Sequence, residues 1–485
     1  MSSASSVTPV SPVPSAEPAP AGRVAPGARP GARRRTAWAE GLDRLRAAAT
    51  TEPGRLRAIG AVLALLVMVF GAATAWQVTD RSAAADDVVL RSQPLTADAA
   101  SIFRSLADAD TTAAGGFLAG GTESVATRKR YEADLAMASQ LLVKAAANAR
   151  VPDAEGGAAD RAGEQIARLN QLLPRYTGLI ETARTNNRQG LPLGGAYLRY
   201  ANAQMRTELL PAAQALYEAE TQRLAADQAR ATAWPWFALA AGVSALGALG
   251  WAQRRHYRRT NRVFNRGLLA ATVASVAVLL WLAAGHAVAR AGLSDAYEHG
   301  TRSLQALNTA RIDALRARAD ENLTLVARGA VLTPDQKDFY EVDFQAKMGH
   351  LAGAAGPGSV ATAGELGKAL ALVDDEAGRG SVRDAVAAVG EWRTRHAAAR
   401  AADDKGDYDR ALALVIGGGG ATGASFDRVD TGLGRALVHE QARFRTTADG
   451  GRAGFRLLAV GAGVLAVLAA TATVLGVGRR LSEYR

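Results

Sequence analysis

The sequence predicts an all-α membrane protein with four transmembrane helices and two duplicated extracytoplasmic four-helix-bundle domains. Three observations lead to this fold class. Four stretches of about 20 residues have no charged side chain, which is the length that crosses a bilayer. The long segments between them place apolar residues at helical spacing. A constant offset of 209 residues relates the two halves of the 485-residue chain.

The four uncharged stretches define the predicted spans. They cover residues 58–79, 231–253, 267–289 and 457–478. The first is not a secretion signal, because 57 residues precede it and a signal starts with a short basic region. We therefore predict four retained transmembrane helices.

Basic residues predict that both termini lie in the cytoplasm, because short loops rich in Lys and Arg stay on that side of the membrane. Residues 1–57 contain nine basic and four acidic side chains, residues 254–266 contain six Arg and no acid, and the tail 479–485 contains three Arg and one Glu. The segments 80–230 and 290–456 are close to neutral and are predicted to lie outside the cell. The net charge of +11 is thus explained by topology, and nucleic acid is not expected as a partner.

Each outer segment predicts an antiparallel helical bundle. From Leu95 to Ala113, apolar residues recur in alternating steps of four and three, which is the spacing of a helical seam. Glycine and proline clusters divide each segment into about four helices. In the first segment they lie at Gly120-Gly121, 152–157 and 190–195, and in the second near Pro334, at 353–358 and at 417–423.

A repeated motif indicates an internal duplication. YEADL at 131–135 recurs 209 residues later as YEVDF at 340–344. The same offset relates Arg57, the last charge before the first span, to Arg266, the last charge before the third. We interpret the shared offset as a duplicated half of span and outer helices.

The motif also supplies the candidate ligand-binding residues. Tyr131 and Asp134 are three positions apart, as are Tyr340 and Asp343, so each pair shares one face of a helix. Such a pair could bind the ring and the amine of a ligand. A structural role in the bundle is the alternative, and the sequence favours it.

Composition excludes several kinds of catalytic and metal site. The chain has no cysteine, so thiol chemistry, disulfides and thiolate zinc sites are excluded. No two of its histidines are four residues apart, the spacing that presents two metal ligands on one helical face. Gly418, Gly420 and Gly423 fit a dinucleotide-binding pattern, but no strand precedes them, which favours a connection between helices. We therefore predict no catalytic residue, no metal and no cofactor, and a protein that is not an enzyme.

The predicted inner parts are too small for a catalytic domain, which needs roughly 50 residues with their own core. Residues 1–57 are rich in Pro and Arg, and we expect disorder there apart from a short amphipathic helix around Trp38. That helix is predicted to lie on the inner leaflet or to dock a partner. The candidate partner-docking residues are Trp38, Arg254, Arg255, Arg258 and Arg259.

The layout resembles that of the GlnX-like four-pass membrane proteins of actinobacteria. The shared features are two outer helical segments, each between two spans, a basic inner loop and no output domain, over about residues 57–478; the stretch RQGLPLGGAYLR at 188–199 adds to the resemblance. The resemblance implies a sensor linked with a glutamine-binding lipoprotein outside the cell and a soluble Ser/Thr kinase inside. It implies no functional residue, because no motif of this sequence matches one.

We therefore expect a non-enzymatic membrane sensor or signal relay. It would detect an extracytoplasmic ligand or a ligand-loaded binding protein, reporting amino-acid availability to a cytoplasmic partner such as a Ser/Thr kinase. The alternative is an accessory or structural component of a membrane transport system, which the uncharged spans disfavour. The expected partners are the lipid bilayer, a solute-binding lipoprotein and the kinase; the sequence leaves open whether the chain forms a homo-oligomer.

The predicted topology can be tested by labelling single cysteines in intact cells with a membrane-impermeant reagent. Cysteines at Ser92 and Ser381 should react from outside, because both positions are in the outer segments. A cysteine at Thr260 should not react until the cells are opened. Reaction at Thr260 alone would invert the topology.

Overall fold

The computed structural model describes residues 52–120, 123–149, 158–260, 266–354 and 364–482. The described residues form helices joined by turns and short connections, with one isolated antiparallel bridge between Leu332 and Asp338 and no sheet among them. This confirms the predicted all-α class. Residues 60–485 form one compact unit, and of the preceding unit the structure describes only the start of the first helix.

The described residues form fourteen α-helices. The first half contains α1 (Glu52–Asp87), α2 (Gln93–Leu118), α3 (Val125–Ala149), α4 (Ala158–Arg188), α5 (Leu193–Gln204), α6 (Leu210–Thr232) and α7 (Trp236–Thr260). The second half contains α8 (Arg266–Asp295), α9 (Arg302–Ala327), α10 (Phe339–Ala352), α11 (Gly364–Leu372), α12 (Glu376–Asp403), α13 (Tyr408–Ile416) and α14 (Thr422–Ser482). Short π-helical turns, Val88–Ser92, Met205–Leu209 and Ala296–Thr301, join α1 to α2, α5 to α6 and α8 to α9.

The outer part of the second half has more helices than the sequence predicted. Besides the breaks at glycine and proline, α12 and α13 each begin after an aspartate N-cap. The Asp375 carboxylate accepts a hydrogen bond from the Gly378 N–H at 2.9 Å, and the Asp407 carboxylate accepts one from the Arg410 N–H at 3.2 Å. Such caps satisfy N–H groups that have no partner in the first turn. These two caps therefore let new helices begin at positions where the sequence has no glycine cluster, and the prediction was based on such clusters.

Several outer helices continue into apolar helices without interruption. Asp87, just before the first π-helical turn, and Ser92, its last residue, both have helical backbone angles. The same holds for Asp295 and Thr301 at the third turn. The helix α14 is 61 residues long. The connection from α6 to α7 differs, because the backbone is extended at Ala233, just before Trp234 and Pro235.

Within the described residues, three helical stretches are long and apolar enough to cross a membrane. They are Ala58–Leu118, Leu193–Arg255 and Gly267–Ala327, and they contain the first three predicted spans. The fourth, 457–478, lies within α14 and stays a prediction. Large apolar side chains project outward from the apolar part of these helices, among them Val62, Leu65, Val273, Leu280 and Val288. An exposed apolar surface of this kind is compatible with a membrane protein.

Element bounds in the two halves follow the 209-residue offset. The helices α2 and α9 both have 26 residues, and their first residues, Gln93 and Arg302, are 209 positions apart. The π-helical turns before them, Val88–Ser92 and Ala296–Thr301, both end at positions with this offset.

The two outer segments share a single hydrophobic core. Helix α2 packs against α9, and the core includes Ile102 and Leu106 from the first half together with Leu315 and Trp392 from the second. The Thr111 hydroxyl donates to the Leu315 carbonyl at 2.8 Å. The structure thus joins the segments into one body, where the sequence had led us to expect two separate bundle domains.

One labelling position chosen from the sequence is unsuitable. Ser92 is fully buried, and its hydroxyl donates to the Asp227 carboxylate. A cysteine there would not be accessible on either side of a membrane. Gln189, which is exposed between α4 and α5, is the better outer position in the first half.

Truncation of a side chain in the shared core should destabilise the outer body. Leu106 is fully buried on α2, so Leu106→Ala should lower the free energy of unfolding by about 2–5 kcal/mol. Leu191→Ala removes the same atoms from a side chain that is 46% exposed and should change it by about 0.5 kcal/mol or less. Denaturant unfolding in detergent, followed by circular dichroism, measures both. Equal effects would contradict the shared core.

Candidate functional site

A polar cavity lies between the two halves of the outer body. Its volume is about 180 Å³. The first half contributes Ala107, Asp110, Asn202, Arg206 and Leu210, and the second contributes Arg316, Ala319, Asp320, Asp343 and Lys347. The wall therefore contains three carboxylates and three cationic side chains, and each half provides charges of both signs.

Arg206 bridges the halves at this cavity. It lies in the π-helical turn Met205–Leu209, which follows α5. Its Nη1 donates to Asp320 Oδ1 at 2.6 Å, and its Nη2 lies 2.8 Å from Asp343 Oδ2. Because one guanidinium presents a fixed fork of donors, it can hold two carboxylates at once. Arg206 thereby joins the first half to both α9 and α10 of the second.

Asp320 is the most deeply buried of the three carboxylates in the cavity wall. Its relative exposure is 2%, and its Oδ2 has no hydrogen-bond partner among the described residues. Burial raises the pKa of Asp320 well above its ordinary value, the Arg206 charge opposes this, and the nearby Asp343 carboxylate adds to the rise. An unpaired, buried polar atom is destabilising unless water or a ligand satisfies it.

Asp110 forms the opposite wall of the cavity. Its Oδ1 accepts a hydrogen bond from the Tyr176 hydroxyl at 3.1 Å, and its Oδ2 accepts one from Asn202 Nδ2 at 2.6 Å. Burial raises its pKa to about 6, although both hydrogen bonds favour the ionised form. This carboxyl therefore titrates close to physiological pH.

Arg316 and Lys347 supply the remaining positive charge. The Arg316 guanidinium lies 5.4 Å from the centre of the Phe103 ring, and burial lowers its pKa. Lys347 is one helical turn after Asp343 on α10. Among the described residues, neither Arg316 nor Lys347 lies within salt-bridge distance of a carboxylate, although the charges of both act on Asp313, where burial raises the pKa and these charges oppose the rise.

The structure does not bring the four predicted ligand-binding residues together. Asp343 lines the cavity, whereas Tyr340 is buried in the core with its ring edge against Phe339. Tyr131 is buried in the first half, with the Arg184 guanidinium 4.1 Å from its ring centre. The burial of both tyrosines agrees with the alternative that they have a structural role in the bundle. Ligand binding by the four residues stays a prediction.

Asp134 lies elsewhere, near charged residues of both halves. Burial and the neighbouring Asp108 carboxylate raise its pKa to about 7, and Arg130 opposes the rise. Arg130 in turn approaches Asp430 of the second half at 3.9 Å. Each aspartate of the repeated motif therefore lies near the boundary between the halves, in a different environment.

The predicted docking arginines are helical. Arg254, Arg255, Arg258 and Arg259 lie in the last two turns of α7, which extends to Thr260. Residues 254–260 of the predicted inner loop are therefore helical, and the bounds of the loop stay a prediction. Trp38 lies outside the described residues, and the docking role of all five residues stays a prediction.

Sequence reasoning missed the residues that define the cavity. Arg206, Asp320 and Asp110 belong to none of the motifs identified in the sequence. Arg206 and Asp320 are 114 positions apart, and nothing in the sequence marks them as partners. Only the 209-residue repeat, through Asp343, pointed towards this region.

Residues 84–229 match a family model described as an actinobacterial sensor domain. The match supports a relation to actinobacterial sensors. The sensor-domain region begins near the end of α1 and ends in α6, so it includes Asp110, Asn202 and Arg206 of the cavity. Comparisons with curated proteins and with solved structures found no match. The sensor-domain match suggests a sensor role for this chain.

Replacement of Asp110 should change how stability depends on pH. Its pKa is about 6 in the folded protein and 3.8 in an exposed carboxyl, so the folded state retains this proton longer than the unfolded state. Wild-type stability should therefore fall as pH rises between these values, by up to about 3 kcal/mol from this group. Asn cannot ionise, so the Tm of Asp110→Asn minus that of the wild type should increase over this interval.

The control for this experiment is Asp409→Asn, which changes an exposed carboxyl. It makes the same chemical change outside the cavity, so the pH dependence of Asp110→Asn is compared with that of this variant. Thermal unfolding of the detergent-solubilised proteins at several pH values measures both variants. A constant difference for Asp110→Asn would contradict a buried, titrating carboxyl.

Proposed function

We propose that this protein is a non-enzymatic membrane sensor that relays an extracytoplasmic binding event to a cytoplasmic partner. The observation that supports it most is the sensor-domain match at residues 84–229, on helices that continue into apolar, membrane-length helices. In the first half, α1 and α2 form one helical stretch, Ala58–Leu118. A change in the outer body can therefore act directly on a membrane helix.

The relay mechanism follows from the packing of α2 against α9. Both helices contribute to the cavity wall, and each continues through a π-helical turn into an apolar helix. A ligand between the halves would favour one packing of this pair over another, and packed helices shift between discrete arrangements. The ligand can drive the change only by its differential affinity for the two arrangements. Coupling between sites is typically about 1–3 kcal/mol.

We also propose a membrane topology for the chain and an origin for its two halves. Both termini and the basic end of α7 face the cytoplasm, and residues 457–478 within α14 form the fourth span. The two halves arose by duplication, each with an outer helical bundle. The common offset of α2 and α9 and the charge distribution along the chain support these points.

The signal and the partner are proposed from the resemblance to the GlnX-like proteins. The signal is an extracytoplasmic ligand or a ligand-loaded binding protein that reports amino-acid availability. The partner is a cytoplasmic protein such as a Ser/Thr kinase. The charges of Arg254, Arg255, Arg258 and Arg259 would attract an acidic face of such a partner, and the indole of Trp38 would add an apolar contact.

Cross-linking to cytosolic proteins tests the relay. The full-length protein, reconstituted in vesicles with its inner side exposed, should capture a soluble partner to an extent that changes when amino acids or a binding protein are added to the outer side. Replacement of the four α7 arginines by Gln should weaken capture, because it removes four positive charges. Deletion of residues 1–50 tests the Trp38 contact.

The matched control changes four exposed arginines of the outer body, which removes the same charge from the opposite side. These are Arg188, Arg383, Arg410 and Arg435. Their replacement by Gln should leave capture unchanged. If no partner is captured under any condition, or if the reconstituted protein alone moves solute across vesicles, the relay is wrong.

A further inference from the structure

We infer that the cavity between the halves binds a small zwitterion, a molecule with one amine and one carboxylate, such as a compact α-amino acid. The inference rests on the proposed function, because it names the ligand class of the cavity that the sensor would use. The binding is direct, without a separate binding protein. Charge, hydrogen-bonding capacity and volume support it independently.

The amine end is assigned to Asp320. Its Oδ1 accepts a hydrogen bond from Arg206, whereas its Oδ2 is buried and has no hydrogen-bond partner among the described residues. An ammonium group has three donors and no acceptor, so it suits this oxygen and the adjacent Asp343. A positive charge beside Asp320 also favours its ionised form, which burial otherwise disfavours.

The carboxylate end is assigned to Lys347 and Arg316. Both side chains line the same cavity. Among the described residues neither is within salt-bridge distance of a carboxylate, although the charges of both act on Asp313. Asp320 and Arg316 are both on α9, four residues apart, so acceptor and donor lie on one helix face. The amine and the carboxylate of one short molecule would therefore each contact groups of opposite charge within a single cavity.

The volume limits the size of the ligand. An engineered cavity of about 150 Å³ accommodates benzene, so a cavity of about 180 Å³ accepts roughly six to eight non-hydrogen atoms by the same scale. Alanine and serine are in this range, whereas phenylalanine is too large. Small amino acids are therefore preferred over aromatic ones.

The ligand would contact both halves at once. Asp110, Asn202 and Arg206 belong to the first half, and Arg316, Asp320 and Lys347 belong to the second. A molecule held by both sets stabilises one arrangement of the halves over others. This is the differential affinity that a sensor requires.

Isothermal titration calorimetry on the full-length protein in detergent tests the ligand class. Alanine should bind, whereas propionate, ethylamine and phenylalanine should each bind at least about tenfold more weakly. Propionate lacks the amine, ethylamine lacks the carboxylate, and loss of one charged hydrogen bond weakens binding by about tenfold or more. Equal binding of propionate or ethylamine would overturn the zwitterion.

Two variants locate the site. Asp320→Asn should weaken alanine binding by about tenfold or more because it removes the anionic partner of the amine, and Lys347→Gln should do so at the carboxylate end. Asp409→Asn and Lys129→Gln make the same chemical changes at exposed positions outside the cavity. These controls should bind alanine as the wild type does. Lys347 is only half-buried, so its variant serves if Asp320→Asn does not fold.

The experiments distinguish failure of the zwitterion site from failure of the proposed relay. If folded wild-type protein binds no alanine, or if Lys347→Gln binds it unchanged, the zwitterion site is wrong, although partner capture in response to another ligand would leave the relay intact. If alanine binds as expected while no cytosolic partner is captured, the site stands and the relay fails.

Discussion

The contact between α2 and α9 connects the two halves, and most other features of the outer body depend on it. The helices approach closely where side chains are small: a Cβ at Gly115 would lie 3.4 Å from Asn322 Nδ2. The Thr111 hydroxyl spans the pair by donating to the Leu315 carbonyl. Because the same two helices continue into apolar helices, their packing also sets the relative positions of the first and third candidate spans.

Two buried polar clusters near this contact differ in how well they are satisfied. In the second half, the Glu321 carboxylate accepts hydrogen bonds from the Trp392 indole at 3.2 Å and from the Thr422 hydroxyl at 3.0 Å, and His396 Nδ1 lies 2.8 Å from it. Burial lowers the pKa of His396, but hydrogen bonds to Glu321 and Glu341 outweigh this and raise it to about 9. This cluster ties α9, α12 and α14 together, and removal of one partner would leave a buried charge unpaired.

The cavity cluster has the opposite character. Arg206 is satisfied by two carboxylates, but Asp320 Oδ2 lacks a partner, and two cations have no ion pair among the described residues. A fully paired network makes a structure rigid, whereas an incomplete one can be completed by a ligand. The contrast separates the structural cluster around Glu321 from the candidate binding site. It also fits a sensor in which α1, α8 and α14 continue from the outer body, whereas the backbone between α6 and α7 is extended at Ala233.

Sequence alone determined the helical class, three apolar helices of membrane length, most helix breaks and the 209-residue offset that α2 and α9 follow. These signals are local, because a helix seam, an uncharged stretch and a glycine cluster are each visible within a few turns of chain. Tertiary structure decided that the two outer segments share one core and that Arg206 meets Asp320 and Asp343. Those partners are more than a hundred residues apart, and the packing of helices, which no local pattern records, determines which charged side chains become buried together.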